Sequence, residues 1–509
     1  MSEKTAEIRR SGPEAIPAFS HRACYVNHGE HLLNSWNANL IYPDACYQWT
    51  LEDWRKFLHM LKAFGYTRFE YWMVPTMFDL PSLEGGRIYQ RYAETMREVA
   101  DLAHADGLEI QCLGSINVWG PKWYYACPSI PEERANLLKL WSHWMRELSG
   151  LDAVTLFPGD LGGCNLNGCS HETAIDLDLE IAYIIKEESP KTQIEIGTWG
   201  NPFCGWGEDS VQVPGWNQSA IDLMRSGFYG FTNRDFHGTP DRAKAAFEYL
   251  VKRLPRFPSD TIVAINPSLN GGGDGLVYAR KIVEMCPVST WDYYVSEGEG
   301  AVCPHWNLHR MSNARRAEQA AAPYIGGICY TMSPKLNLLT LYAGAQTFID
   351  PQIDPTEIST HFCTSVFGQE HKPLGDLMKL FGAEAAMDGL PEYLAGVQDQ
   401  LAGCAPRSPV KRWSRKDLNR AFGLMIEHLE AAKPSACTLP IFPVPETYRQ
   451  DLLWFARKYY EMTGPNPNRA LIAWQYWEKT YGIYSQVPLS SLTAESSCRH
   501  FANSFAGLE

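Results

Sequence analysis

Short apolar runs alternate with longer amphipathic segments along the first two thirds of the chain. The run Ala153–Phe157, bounded by Pro158 and Gly159, has the pattern of a short buried strand. The segment Glu172–Glu188 that follows is mostly apolar and long enough for a helix. From Arg22 onward this strand-then-helix unit recurs every roughly 30–45 residues, which indicates a repeated β/α architecture.

Eight such units can be placed before Asp350. The predicted strands are Ala23–Asn27, Tyr66–Val74, Leu108–Ser115, Ala153–Phe157, Gln193–Gly197, Thr261–Asn266, Trp291–Val295 and Gly327–Met332. The predicted helices include Leu51–Phe64, with a capping box at Thr50 and Asp53, Tyr92–Ala105, Pro131–Leu148 and Glu172–Glu188. The fold class is therefore α/β, a (β/α)8 TIM-type barrel over residues 20–350, with an open doubly wound sheet as the alternative. The run Phe228–Phe236 is interpreted as a loop on the catalytic side, or alternatively as the sixth strand.

Past Asp350 the strand signals nearly vanish and helices dominate. The predicted helices are Thr356–Phe367, Pro373–Met387, Lys416–Ala432, Tyr448–Met462 and Arg469–Ile483. We therefore expect an N-terminal extension over residues 1–19, the barrel over 20–350, and a mainly helical C-terminal domain over 351–509. The last region either packs on the barrel or forms a homodimer interface.

Composition and charge exclude several classes of protein. The formal charge is −13 and no basic stripe is present, so no nucleic-acid partner is expected. No stretch approaches the ~20 apolar residues of a membrane helix, so no membrane partner is expected. The N-terminus lacks the apolar core of a secretory signal, and 14 cysteines in 509 residues are dilute, which favours reduced thiols and a cytoplasmic location. No nucleotide-binding glycine motif is present, and no cofactor is expected.

Aromatic residues are abundant, with 17 Trp and 25 Tyr, and many fall in loops rich in Gly, Pro and Asn. Aromatic faces beside amide and carboxylate groups suit sugar rings, because C–H faces pack on the aromatics while hydroxyls form hydrogen bonds. This pattern favours a carbohydrate substrate.

The candidate site residues lie where the predicted strands end, since a barrel builds its site from the C-terminal ends of its strands. The predicted substrate-binding residues are Asn27, His28, Trp72, Asn117, Trp119, Trp199, Asn201, Arg234, Asn266 and Lys335. The predicted catalytic residues are Asp160 with Glu297 or Glu299, then Asp235 and His305. Two separated acids suit glycosidic cleavage, in which one carboxyl group protonates the leaving oxygen and the other activates water or attacks the anomeric carbon.

Two further glutamates, Glu70 and Glu195, lie within predicted strands. We assign them as buried hydrogen-bond or ion-pair partners and not as reacting groups.

No His and carboxylate set has the spacing of a metal site, so no catalytic metal is expected. Cys164 and Cys169 lie near Asp160 and His171 and could bind a metal, but we predict a structural role for the pair. A non-hydrolytic sugar-binding barrel and a metal-dependent sugar isomerase or hydrolase remain the alternative functions.

The late part of the barrel resembles alpha-glucuronidase-like glycoside hydrolases, mainly over residues 280–370. The residues that carry this are Trp291–Tyr294, Pro304–Asn307, Gly326–Ile328, Leu336–Tyr342, Phe348–Pro351 and Phe367–Gly368. The resemblance implies a (β/α)8 barrel with a helical C-terminal domain and an acid at the end of the fourth strand, here Asp160.

Two departures from that group bear on the substrate. Gly159 and Leu161 flank Asp160, so the adjacent acid pair expected of substrate-assisted beta-hexosaminidases is missing. The acid is also Asp, whereas alpha-glucuronidases are expected to use Glu. We expect an exo-acting glycoside hydrolase, because long loops would close a pocket around the substrate. The terminal sugar of that substrate could carry a carboxylate, bound by Arg234, Lys335, Arg310 or Lys122.

Overall fold

Eight parallel strands pair side by side into a closed barrel. The computed structural model of the protein describes residues 17–26, 49–73, 84–116, 118–119, 124–125, 127–157, 170–198, 240–265, 274–291, 304, 308–321, 323–331, 334–378 and 415–461. Within these ranges the barrel strands are His21–Val26, Arg68–Met73, Glu109–Ser115, Ala153–Phe157, Gln193–Gly197, Ile262–Ile265, Val288–Thr290 and Gly326–Thr331. Their order around the barrel follows the chain, and the eighth strand closes on the first with Gly326 opposite His21. The predicted (β/α)8 barrel is confirmed, and the alternative of an open sheet is wrong.

One helix follows each strand and lies outside the barrel. These helices are Leu51–Phe64, Glu84–Ala105, Pro131–Glu147, His171–Glu188, Pro240–Arg253, Asp274–Ile282, Leu308–Ala321 and Leu338–Ile349. The 3-10 turn Leu254–Arg256 extends the fifth of them, and a short hairpin of Val118–Trp119 and Tyr124–Tyr125 follows the third strand. The capping box predicted at Thr50 and Asp53 is present at the start of the first helix.

The seventh strand is displaced from its predicted position. It runs over Val288–Thr290, immediately before the predicted segment Trp291–Val295, and Val288 and Ser289 pair with Val263 and Ala264 of the sixth strand. The β-branched Val288 and Thr290 point outward, where the Arg315 guanidinium donates to the Thr290 hydroxyl. Only Trp291 of the predicted segment lies within the described part of the chain.

The position of the sixth strand excludes one of the two interpretations of Phe228–Phe236. Ile262–Ile265 pairs with both the fifth and the seventh strands. Phe228–Phe236 is therefore not the sixth barrel strand, and its predicted place on a catalytic loop lies outside the described residues.

The outward faces of the strands pack on the helices through large apolar side chains. Phe69 of the second strand contacts Trp54 and Phe57 of the first helix, with ring centroids 5.5 Å and 5.9 Å away. At Gly114 a Cβ atom would overlap the rings of Trp141 and Trp144. The absence of a side chain there lets both indoles lie directly against the third strand.

Helices make up most of the described chain beyond the barrel. They are Pro355–Phe367, Leu374–Leu377, Arg415–Ala431 and Pro445–Glu461, with 3-10 turns at Gln369–His371 and Pro434–Ala436. The first, third and fourth of the predicted helices are confirmed to within a few residues. The predicted helix Pro373–Met387 is described only as far as residue 378, and Arg469–Ile483 lies outside the described residues.

This region contacts the barrel through Phe442. Its ring packs against Trp49, 4.9 Å away between centroids, and against Phe57 of the first helix at 6.4 Å. The Phe442 amide donates to the Met60 sulfur at 3.3 Å. The C-terminal region is thereby joined to the first barrel helix and to the residue Trp49 that precedes it.

Two general features concern only the described ranges. None of the helices there is both long enough and apolar enough to cross a bilayer. No disulfide joins the seven cysteines in those ranges, which are Cys24, Cys112, Cys127, Cys286, Cys329, Cys363 and Cys437.

Candidate active site

The barrel brings the carboxyl ends of all eight strands to one opening, here called the mouth. Because the strands are parallel, every segment that follows a strand starts from this end. Most predicted site residues belong to these segments but lie outside the described residues. They are Asn27, His28, Asn117, Asp160, Trp199, Asn201, Arg234, Asp235, Asn266, Glu297, Glu299 and His305. Cys164 and Cys169 also lie outside them.

Three predicted substrate-binding residues fall within the described chain. Trp72 is near the end of the second strand, opposite Leu113, and Trp119 pairs with Tyr124 in the short hairpin. The Lys335 ammonium follows the eighth strand and lies 5.3 Å from the centroid of Trp49 and 5.5 Å from that of Phe442. Its charge is therefore held against two aromatic faces.

Four inward-pointing aromatic side chains form a layer at the carboxyl end of the barrel interior, here called the aromatic floor. They are Tyr25, Phe157, Trp291 and Tyr330, and all are buried. The Tyr25 ring lies 5.3 Å from Trp291 and 5.2 Å from Tyr330, and the Phe157 ring lies 5.9 Å from Trp291. The floor thus joins the ends of the first, fourth, seventh and eighth strands beneath the mouth.

A polar cluster lies one layer below the aromatic floor, here called the carboxyl network. Its members are Glu70, Gln111, Thr155, Glu195 and Ser289, all on inward positions and all buried. Thr155 is two residues before Phe157 on the fourth strand, and Ser289 is two residues before Trp291, which directly follows the seventh strand, so the side chains of each pair point to the same face. As the sequence indicates, Glu70 and Glu195 are buried hydrogen-bond partners.

The hydrogen bonds of the carboxyl network converge on the two carboxyl groups. Thr155 Oγ1 lies 2.8 Å from Glu70 Oε1 and 3.3 Å from Glu195 Oε1. Gln111 Nε2 lies 3.4 Å from Glu70 Oε1 and 3.2 Å from Glu195 Oε1, and it also donates to Thr155 Oγ1. Ser289 Oγ donates to Glu195 Oε2 at 3.1 Å. Five side chains from five strands are thereby held in one arrangement.

Burial and mutual repulsion change the acidity of the pair. Burial, followed by the charge of Glu195, raises the pKa of Glu70 to about 8, against the lowering effects of Thr155, Arg68 and Trp291. Burial also raises the pKa of Glu195, which Arg68 and hydrogen bonds from Ser289, Gln111 and Thr155 partly offset. Near neutral pH the Glu70 carboxyl is therefore protonated.

Arg68 supports the network from the amino-terminal side of the barrel. Its guanidinium donates to Gln111 Oε1 at 2.5 Å and to Glu109 Oε2 through Nε at 2.8 Å. Because the amide oxygen of Gln111 faces Arg68, its NH2 group faces the two carboxyl groups. Burial, then Arg68, lowers the pKa of the neighbouring His21.

Sequence reasoning missed most of these residues. Gln111, Thr155 and Ser289 are not among the predicted site residues, although each is a buried polar residue at an inward position of its strand. Trp291 falls in the predicted strand Trp291–Val295, whereas it follows a strand in the structure and its side chain forms part of the floor. The signal that could have found them is the period-2 placement of polar residues in the strands.

No group of three His, Cys, Asp or Glu side chains that could hold a metal ion occurs in the described part of the chain.

Comparison with known proteins gives similarity only at the level of solved structures. No protein-family model matches the chain, and no curated protein matches it. Similar solved structures include a GH138 enzyme targeting pectin rhamnogalacturonan II, with 8% identity, a TM-score of 0.49 and 97% of this chain covered. The chain spans 63% of that protein's length.

Two other similar structures are covered over most of their length. A mutant of the Thermobaculum terrenum O-GlcNAc hydrolase has 12% identity and a TM-score of 0.45, with 90% of this chain and 88% of that one covered. CpGH84D has 8% identity and a TM-score of 0.48, with 96% and 69% covered. None of these three is described as an alpha-glucuronidase, so the resemblance to that group stays a prediction.

Proposed function

We propose that the protein is a glycoside hydrolase that acts at the mouth of the barrel. The observation that carries this proposal is the contact between Phe157 and Trp291 in the aromatic floor. Phe157 is the last residue of the fourth strand, and Asp160 follows three residues later. Trp291 directly follows the seventh strand, and Glu297 and Glu299 come after it. The segments with the proposed acids therefore start from two rings in contact.

The reach of the chain is compatible with a two-acid mechanism. Three residues extend at most about 10 Å, which sets an upper limit on the distance between the Cα atoms of Phe157 and Asp160. Glycosidases place their two carboxyl groups about 5–9.5 Å apart, the shorter separations retaining and the longer ones inverting configuration. Both spacings fit segments that start from neighbouring rings, and both mechanisms are open to this site.

In the proposed reaction Asp160 donates a proton to the leaving oxygen as the bond from the anomeric carbon to that oxygen breaks. Glu297 or Glu299, ionised, either attacks the anomeric carbon or removes a proton from the attacking water. Asp235 and His305 are the reserve candidates for these roles. The substrate proposed is a terminal sugar taken in an exo mode, with a uronic or sialic carboxylate bound by Arg234 where one is present.

The test is the leaving-group dependence of Asp160→Asn. The amide keeps the shape but cannot donate the proton, so hydrolysis of substrates with poor leaving groups should fall by roughly 10²–10⁴-fold. Activated aryl glycosides need little protonation and should be affected far less. The substrates are a panel of aryl glycosides that includes uronides and sialosides, assayed by steady-state kinetics.

The matched control is Asp152→Asn, at the opposite end of the same strand, where the carboxylate accepts from the Ile110 amide at 2.8 Å. It should leave the leaving-group dependence unchanged. Equal damage to both substrate types in Asp160→Asn would make Asp160 a base or nucleophile, and near-normal rates would remove it from the mechanism. Sugar binding without turnover by the wild type would support the non-hydrolytic alternative, and rescue of chelated protein by one divalent ion would support the metal-dependent one.

A further inference from the structure

Two ionised glutamates cannot satisfy all the hydrogen-bond contacts of the carboxyl network. Thr155 Oγ1 lies within 3.3 Å of both Glu70 Oε1 and Glu195 Oε1. A hydroxyl has one proton and two acceptor lone pairs, and here one lone pair already accepts from Gln111 Nε2. Since Thr155 can donate to only one carboxylate, the other carboxyl group must donate to Thr155 for both contacts to be hydrogen bonds.

The donors around each carboxyl group decide which one holds the proton. Glu195 accepts from Ser289 at Oε2 and from Gln111 at Oε1, so it is the charged member. Glu70 makes the shorter contact with the Thr155 oxygen, at 2.8 Å, which is normal for an O–H···O hydrogen bond. The resulting chain runs from the Glu70 hydroxyl to Thr155 and from the Thr155 hydroxyl to Glu195.

We propose that Glu70 and Glu195 share one proton through Thr155, and that this one-proton pair is a positioning device for the aromatic floor. Trp291 is the link, because its indole faces Glu70 and its ring contacts both Tyr25 and Phe157. When the pair holds one proton, it carries a single buried charge that Arg68 balances. When the proton is lost, two like charges lie under the floor, and the contact of the Trp291 indole with Glu70, which favours the ionised carboxyl group, becomes stronger and changes the environment of the ring.

The other groups that face the pair do not replace this proton. Arg68 is the cation directed toward the network, and it also pairs with the half-exposed Glu109. His21 lies beside Arg68 and is kept neutral by burial and by that cation, which lower its pKa. Tyr25 is opposite Glu70 on the first strand, and Trp291 does not titrate. The carboxyl pair is therefore the titrating unit next to Trp291 within the described chain.

The proton can be observed directly, without any substrate. Infrared spectroscopy in D2O distinguishes the C=O stretch of a protonated carboxyl group from that of a carboxylate. Asp178 is a buried acid outside the carboxyl network whose pKa burial also raises, so Asp178→Asn is needed to assign its separate contribution. Near neutral pH, Glu70→Gln should remove one further acid band.

Glu195→Gln is the decisive variant. An amide at Glu195 removes the neighbouring charge that raises the pKa of Glu70, so the acid band of Glu70 should be lost at a lower pH than in the wild type, although Glu70 is intact. An acid band that is lost at the same pH in Glu195→Gln and in the wild type, or a wild type with no band beyond that of Asp178, would overturn the shared proton. If the double variant Glu70→Gln/Glu195→Gln lacks two acid bands that the wild type shows, the pair holds two protons and the proposal is overturned as well.

The effect on the floor is measured at Trp291 itself. In protein labelled with fluorotryptophan, the Trp291 resonance is assigned by Trp291→Phe among the 17 indoles. It should titrate in the wild type with a midpoint near 8 and lose that titration in Glu70→Gln. A Trp291 signal that titrates identically in both proteins would overturn the positioning role.

Variants at Thr155 keep the proposal testable if the glutamine variants fail to fold. Thr155→Ser retains the hydroxyl and should keep the wild-type titration of Trp291. Thr155→Val removes it at nearly constant volume and should shift that midpoint by a pH unit or more. Equal midpoints in the two variants would overturn the bridging role of Thr155. None of these measurements depends on the proposed glycosidase activity, so either inference can fail alone.

Discussion

At the scale of single residues, the barrel interior is unusual in carrying charge. Buried polar groups are tolerated only when they are hydrogen bonded, because an unsatisfied one costs about 1–3 kcal/mol. Glu70, Gln111, Thr155, Glu195 and Ser289 bond one another across five strands, and Glu70 Oε2 is the one carboxyl oxygen of this network without a hydrogen-bond partner among the described residues. The charge they retain must still contribute a pH-dependent term to stability.

We expect the free energy of unfolding of the wild type to fall as the pH rises from about 4.5 to about 8. In this range folded Glu70 keeps a proton that the unfolded chain releases, because its pKa is raised from 4.5 to about 8. Stability is therefore greatest below the unfolded pKa and is lost as pH rises through the folded pKa, with a slope of up to about 1.4 kcal/mol per pH unit.

Urea unfolding of wild type and Glu70→Gln at pH 5, 6.5 and 8 measures this slope. The variant should show a smaller decline, so its advantage over the wild type grows with pH. The exposed Glu98→Gln serves as the control and should follow the wild type at each pH. Parallel curves for wild type and Glu70→Gln would contradict the raised pKa.

At the scale of elements, helix Leu338–Ile349 packs closely on the barrel wall. Its Gly344 lies against Cys329 of the eighth strand and against Tyr66, whose hydroxyl donates to Leu341 O at 2.6 Å. A Cβ atom at Gly344 would lie 2.7 Å from the Tyr66 hydroxyl. The missing side chain is therefore what lets this helix approach the strand.

Gly344→Ala should destabilise the protein by about 1–3 kcal/mol through overpacking, despite the better helix propensity of alanine. Gly423→Ala is the matched control in helix Arg415–Ala431, because a Cβ there would meet only the Tyr460 ring at 3.7 Å. That control should be neutral or stabilising by up to ~1 kcal/mol. Thermal unfolding measures the change in Tm of both variants, and equal changes would contradict the close approach of the helix to the strand.

At the scale of the whole molecule, Phe442 joins the C-terminal helices to the barrel. Its side chain is 6% exposed and packs against Trp49 and Phe57, and the Lys335 ammonium lies over its ring. Trp49 and Phe442 both contact Lys335, which lies in the segment that follows the eighth strand. The C-terminal region is therefore tied to the wall of the barrel near Lys335.

Phe442→Ala should cost about 3–5 kcal/mol of unfolding free energy, as expected for truncating a buried aromatic side chain. Val444→Ala, at a side chain that is 55% exposed, should change it by less than about 0.5 kcal/mol. Denaturant unfolding followed by tryptophan fluorescence measures both. A small effect of Phe442→Ala would mean that the contact adds little to the stability of the whole.

Local patterns in the sequence were enough to predict the barrel. Hydrophobic periodicity, the capping box at Thr50 and the turn residues between elements depend on neighbours in the chain, so the alternation of strands and helices was readable. The bounds of Leu51–Phe64 and Gln193–Gly197 were correct, and the closed barrel follows from eight such units. The predicted acid at Asp160 also came from this local pattern, and it stays a prediction.

Only the tertiary structure decided which inward residues meet. Glu70 lies on the second strand and Glu195 on the fifth, with two barrel strands between them, and their contact through Thr155 exists only because the strands pair in register. The start of the seventh strand at Val288 likewise depends on pairing with the sixth strand, a contact between distant residues. Long-range register, burial and shared protons are properties of contacts between distant residues, and a one-dimensional pattern does not contain them.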